Sequence, residues 1–91
     1  MQFEWDEDKA LANANKHRVS FEQAQQLFND PRAVPYEDLE HSTHDETRYV
    51  MIGMSSIGLL FVSFTYRDKI VRLISARRAE KWMVKVYENE N

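Results

Sequence analysis

The chain contains no cysteine. That excludes a disulfide framework and a zinc site built on thiolates, so packing alone must hold the fold together. Glycine and proline are scarce, with two of each in 91 residues. Repeats, low-complexity tracts and linkers are absent, and one compact, regular domain over residues 1–91 is expected. Long apolar runs are missing too: stretches such as Leu59-Leu60-Phe61-Val62 have the length of a strand, not of a membrane span. The opening Met-Gln-Phe-Glu-Trp-Asp has neither the basic region nor the apolar core of a secretory leader, so a cytoplasmic location is expected. No glycine-rich phosphate loop and no hydrolase nucleophile motif occurs, which leaves an NTPase or an esterase without support.

What is present suits a globular core. Apolar residues make up 43% and aromatics 12% of the chain, too much for a disordered tail. The net charge of −3 is unevenly spread. Residues 1–46 hold 11 acids and 4 bases, net −7, whereas residues 47–91 hold 4 acids and 8 bases, net +4. A nucleic-acid surface is therefore expected to draw on the second half, although the acids of the first half read equally well as solvated loop residues.

The pattern predicts a short opening strand over residues 2–5 with Phe3 and Trp5 on one face. Asp6 then caps a first helix that runs to about His17, with Glu7 and Asp8 in its first turn. Lys9, Asn13, Lys16 and His17 fall on one polar stripe of that helix. Val19-Ser20-Phe21-Glu22-Gln23-Ala24 carries a capping box, Ser20 with Gln23, and predicts a second helix that stops near Pro31. Residues 33–36 read as an edge strand because Pro35 cannot donate to a ladder. An acidic loop follows, and then three strands over 49–54, 58–66 and 70–75 in an antiparallel meander. A last helix is expected from near Ser75 to about Glu88, with Ala79, Trp82, Met83, Val86 and Tyr87 as its apolar stripe. The fold class is α+β: a small antiparallel sheet with two N-terminal helices and one C-terminal helix.

Phe3-x-Trp5-Asp6-x-x-Lys9, Asn13, Lys16-His17, Val19-Ser20-Phe21-x-x-Ala24 and Phe28-x-Asp30-Pro31 resemble, in order, the first half of BrnT-type toxins. Glu46-x-Arg48, Gly53, Phe64-Thr65-x-Arg67, Arg72-x-Ile74-Ser75-Ala76-Arg77-x-Ala79 and Tyr87 resemble the second half. The resemblance covers nearly the whole chain and rests on the ordered set, not on any one piece. It implies a RelE/ParE-like toxin fold and an endoribonuclease that slows bacterial translation. It also implies a BrnA-like antitoxin that neutralises the toxin, in a heterotetramer, and carries the DNA contact. Two positions depart from the family pattern. Members usually have glycine where this chain has Arg18, a place where a left-handed residue ends the first helix. Members also tend to have an acid near position 83, where this chain has Trp82-Met83-Val84.

Metal-free RNA cleavage needs a base for the 2′-OH, an acid for the leaving 5′-oxygen, and cations for the extra negative charge. His17 is the candidate for proton transfer, since imidazoles as a class titrate near neutrality, and it reads equally well as a C-terminal cap; Lys16 beside it is a catalytic candidate that holds a phosphate, or is only solvated. Arg72, mid-strand among apolar neighbours, and Arg77, expected in the first turn of the last helix, are the candidates for the developing charge. Arg48, Arg67, Arg78 and Lys9 are candidate phosphate contacts; Arg48 also reads as an ion-pair partner of Glu46, and Arg77 and Arg78 as partners of first-half acids. Trp82, Met83 and Val86 form a candidate antitoxin surface. His41 and His44 with Glu40, Asp45 and Glu46 make a loose cluster too weak in spacing to predict a metal, and no cofactor is expected. Two other functions share this fold class: a non-catalytic module that binds the antitoxin as a corepressor, and a gyrase-type poison.

Overall fold

The computed structural model describes residues 1–90. Its five strands are β1 (Phe3–Glu4), β2 (Val34–Glu37), β3 (Arg48–Ser55), β4 (Gly58–Arg67) and β5 (Ile70–Arg78). Its helices are α1 (Glu7–His17), α2 (Phe21–Gln25) and α3 (Lys81–Asn89), and α2 runs on into a 3-10 turn over Gln26–Asn29. The sheet order is β1-β5-β4-β3-β2. The β3–β4–β5 meander is antiparallel, as expected, and β2 joins it antiparallel at one edge. β1 differs: it pairs parallel with β5, so the sheet is mixed.

Local chemistry sets the helix ends. The Asp6 carboxylate accepts from the Asp8 and Lys9 N–H groups at 2.9 and 3.1 Å and starts α1. The Ser20–Gln23 capping box is closed in both directions. Val19 and Ala24, the staple pair, are both fully buried. α1 ends on Arg18 in the left-handed conformation (φ 59°), its N–H donating to the Ala14 carbonyl at 2.9 Å. A side chain with a Cβ takes that conformation at a cost of about 1 kcal/mol.

The two sheet faces differ in cover. Met51, Val62, Phe64, Val71, Leu73 and Ala76 point to α1 and α2 and bury themselves against Phe21, Ala24 and Leu27. An aromatic relay crosses this core: Phe3 to Phe28 at 5.1 Å and Phe28 to Phe64 at 4.9 Å, both edge-on. Gly53 lets Leu27 approach so closely that a Cβ there would lie 2.8 Å from the Leu27 Cγ. On the other face Val50 and Ile52 are buried, and α3 packs on β3 there.

The last helix begins later than the sequence suggests. Residues 75–78 continue β5, pairing Ser75 with Ser63, Ala76 with Val62, Arg77 with Phe61 and Arg78 with Leu60. Ala and Arg favour a helix locally, but the ladder to β4 wins. Asn13 fixes the outer side of the same segment. Its side-chain amide donates to the Ala76 carbonyl at 2.9 Å and accepts from the Ala76 N–H at 3.0 Å. It thereby occupies the edge of β5 where the two-residue β1 has already ended. A second donation, to the Val19 carbonyl at 3.0 Å, ties in the α1–α2 turn. Asn13 is therefore a buried strut and not part of a solvated stripe.

Candidate active site

Helix α1, held at the β5 edge by Asn13, brings its polar side to the rim of the α3 face of the sheet. Lys9, Lys16 and His17 line a cleft there with Ile74 and Ser75. Lys9 and Ile74 also line the next cleft, which collects Arg48 from β3, Arg67 from the end of β4 and Arg72 from β5. Four cations from four elements thus converge, with Asp6, Glu46 and Thr65 between them.

The arginines are oriented by carboxylates. Arg72 Nη1 donates to Glu4 Oε2 at 2.7 Å, its neighbour across the parallel β1–β5 pair. Glu46 accepts from Arg48 Nε at 3.1 Å and from Arg67 Nη2 at 3.4 Å. The bond from Arg48 above all, helped by Arg67, holds the Glu46 carboxyl below its ordinary range against the desolvation that raises it. Each guanidinium has five N–H donors, and each of these contacts occupies one, so the rest can still meet phosphate oxygens. Thr65 pins the floor by donating its hydroxyl to the Thr47 carbonyl at 2.7 Å.

A β-bulge decides which side of the sheet the β5 arginines take. The β4–β5 register shifts by one residue at Ser63/Phe64, so that Phe64 faces Leu73 while Ser63 faces Ser75. In an unbroken strand Arg72 and Arg77, five residues apart, would point to opposite faces. With the bulge, Arg72 lies opposite Thr65 and Arg77 opposite Phe61, and those two β4 positions share a face. Arg72, Ile74, Ser75 and Arg77 therefore all leave the helix-covered core, while Leu73 and Ala76 stay in it.

Sharing a face does not bring Arg77 to Arg72. The Arg77 guanidinium sits 5.0 Å over the Phe61 ring and donates to Glu80 at 2.8 Å. Arg78 donates to the Ile57 carbonyl in the β3–β4 turn at 2.9 Å. Neither lies in the first turn of a helix, so the expected partnership with helix N–H groups is absent, and the Arg77 acid comes from its own segment instead of the first half. Among the antitoxin candidates, Trp82 is exposed, Val86 is half-buried and Met83 is buried. Met83 occupies the third helical position, where its sulfur accepts the Glu80 N–H at 3.4 Å. That contact explains how α3 starts without the usual acid or amide at this place.

Beside the cationic cleft lies a larger groove of about 540 Å³. Phe61, Ser63, Ile74 and Ser75 form its floor, Trp82 one wall, and Tyr36 and Leu39 the other. Arg48 and Ile74 line both the groove and the cleft. The sequence pattern marks Tyr36 as edge strand and Leu39 as loop; nothing local signals that they line one groove with Trp82. His41 in the same loop is bonded to Asp38, Nδ1 to Oδ2, at 2.8 Å.

No curated protein matches the chain. A family model does, over residues 5–82, from the residue after β1 to the second residue of α3, and its description is the ribonuclease toxin BrnT of type II toxin–antitoxin systems. The match spans the capped α1, the meander and every cation of the cleft, and the chain belongs to the BrnT family of ribonuclease toxins.

Proposed function

We propose that this chain cleaves RNA without a metal ion, and so inhibits translation until an antitoxin neutralises it. Family membership supports the ribonuclease class. The observation that carries the site is the gathering of Lys9, Arg48, Arg67 and Arg72 in one cleft. A phosphate seated there meets guanidinium groups held by Glu4 and Glu46, and they stabilise the added charge of the pentavalent phosphorane. Lys16 and His17 lie in the neighbouring cleft, joined through Lys9 and Ile74; His17 serves the proton transfers to and from the ribose oxygens, and Lys16 contacts the phosphate. Arg77 and Arg78 stand apart from this group and are assigned to the flanking path of the strand, as weaker phosphate contacts. The antitoxin is of the BrnA type, forms a heterotetramer with the toxin and makes the DNA contact.

The test is expression of the chain alone, with cellular RNA read for new 5′ ends. New ends and growth arrest are expected. Cleavage by the purified protein should persist in a chelator. Arg72→Ala should lower the cleavage rate by about 100-fold, the usual loss on removing one donor to a developing oxyanion. Intact RNA in cells that hold soluble, folded protein would sink the proposal.

A further inference from the structure

We infer that the groove between α3 and the β2–β3 loop is the seat of a basic segment of the antitoxin, which places an apolar side chain among Tyr36, Leu39 and Trp82. The inference rests on the toxin reading above and adds where and by what chemistry the partner is held.

The groove is apolar and open. Leu39 is 76% exposed, Trp82 52% and Tyr36 39%, so three of the large exposed hydrophobic residues gather at one place. Scattered apolar residues need no explanation, but a concave cluster flanked by charge marks an interaction surface. The charge identifies the occupant. Residues 37–46 carry five carboxylates and no Lys or Arg; Glu46 is engaged by Arg48 and Arg67 in the cleft, whereas Glu37, Asp38 and Glu40 line the groove. Asp38 and Glu40 sit on the lip of the groove. The Glu40 carboxylate has no ion-pair partner among the described residues. Phosphates are repelled by such a lip, whereas Lys or Arg side chains are drawn to it. RNA therefore belongs in the cationic cleft and a basic peptide in the groove.

The mode of seating follows from the edge strand. The Asp38 N–H donates inward to the Arg48 carbonyl at 2.8 Å. By alternation Tyr36 also points inward, and Pro35 and Glu37 point their backbone outward. Pro35 has no N–H, so the outer edge of β2 offers one donor over this stretch and cannot template a further strand. The segment must lie on the face of the sheet and hold on by side chains. Because Arg48 and Ile74 wall both groove and cleft, a chain seated here closes one mouth of the RNA site. Neutralisation is then steric, with no change of fold.

A random peptide library displayed on phage and panned against the whole chain tests this. The enriched peptides should carry an aromatic or branched aliphatic residue flanked by Lys or Arg. Their affinity should fall about tenfold or more in Trp82→Ala, as for an anchor in a central pocket. It should also fall in Leu39→Ser and Glu40→Lys, which alter exposed loop positions and leave the core untouched, and decline as salt rises. Enriched peptides of acidic character, or peptides indifferent to all three substitutions, would overturn the inference, as would a single-stranded RNA oligonucleotide that displaces the peptides and shifts the Trp82 indole resonance. RNA cleavage measured on the same protein separates the two readings. Cleavage that enriched basic peptides fail to inhibit removes the docking site and leaves the ribonuclease. Basic peptides bound at Trp82 on a protein that cleaves no RNA uphold the docking site and remove the ribonuclease.

Discussion

The two faces of one sheet have opposite characters. Towards α1 and α2 the strands present Met51, Val62, Phe64, Val71 and Leu73, all buried, with aromatic rings interlocked behind them. Towards α3 Val50, Ile52 and Thr65 are buried, and the rest is a floor of Ile74, Ser63 and Ser75 with Arg48 and Arg72 at one end. The short α3 covers a smaller part of its face than α1 and α2 cover of theirs. The packed core and the candidate site are thus separated by the thickness of a strand. A packed face cannot accept charge without desolvation, and an open face contributes little to stability.

That separation can be broken most severely at its seam. Asn13→Ala removes the three bonds that hold α1 to β5 and to the α1–α2 turn, leaving the Ala76 N–H and carbonyl and the Val19 carbonyl without their partner. A loss of about 3 kcal/mol is expected from buried backbone groups left unsatisfied, read as a lower urea midpoint. A loss below about 1 kcal/mol would mean that water replaces the amide at the β5 edge.

Gly53→Ala tests the packed face. Its Cβ would meet the Leu27 side chain at 2.8 Å and Ala33 at 3.2 Å. Overpacking of this kind costs about 2 kcal/mol. Trp82→Ala on the open face should change the midpoint by under about 0.5 kcal/mol, as exposed sites do. Equal losses at the two positions, measured in the same denaturant series, would dissolve the distinction between the faces.

A carboxylate clasps α3 to the sheet. Asp30 accepts from the Met54 N–H at 2.8 Å, the Arg32 N–H at 2.9 Å and the Tyr87 hydroxyl at 2.7 Å. Desolvation raises the Asp30 carboxyl, but these bonds and the Arg32 charge outweigh it and hold the group below its ordinary value of 3.8. Desolvation first, and then the Asp30 bond, pushes the Tyr87 phenol up. A depressed acid stabilises the fold above the unfolded-state value and ceases to do so as pH falls through the folded-state value. Wild type should exceed Asp30→Asn by about 1 kcal/mol at neutral pH, and the gap should close below pH 3.8. A gap that stays constant into acid would show that the carboxylate charge plays no part.

The smallest effect is expected at Arg18, where glycine relieves the left-handed backbone. Arg18→Gly should raise stability by about 1 kcal/mol or less, since the gain is offset by glycine's greater freedom when unfolded. A lower melting temperature would show that the Arg18 side chain contributes contacts outweighing the strain.

The elements legible in the sequence were those whose signals are local. Ser20 and Gln23 announce α2 because a cap and its reciprocal partner lie three residues apart. Asp6 announces α1, and the alternation of Val50, Ile52 and Met54 announces β3. Arg72 stood out because a charged residue between Ile70 and Ile74 needs an explanation on any strand. The Glu46–Arg48 pair was legible from its spacing, and the structure carries it at 3.1 Å. The start of α3 differs from the expectation because residues 75–79 favour a helix by propensity alone, while their strand pairing with Val62 and Phe61 and the bond to Asn13 come from residues distant in sequence. Met83 fits both the apolar stripe and the candidate antitoxin surface for a related reason: a helical stripe gives periodicity, but not which of its members the sheet will cover.

The sequence by itself determined that this is a small α+β domain with a capped N-terminal pair of helices, a strand meander and a basic second half, since caps, alternation and charge act over a few residues. Only the tertiary structure decided that Lys9 joins Arg48, Arg67 and Arg72, that one bulge turns Arg77 to their face while Phe61 and Glu80 keep it from them, and that Tyr36, Leu39 and Trp82 enclose one groove. Register and side-chain direction depend on ladders between residues far apart in the chain, and a shift of one residue reverses the face that every following side chain takes.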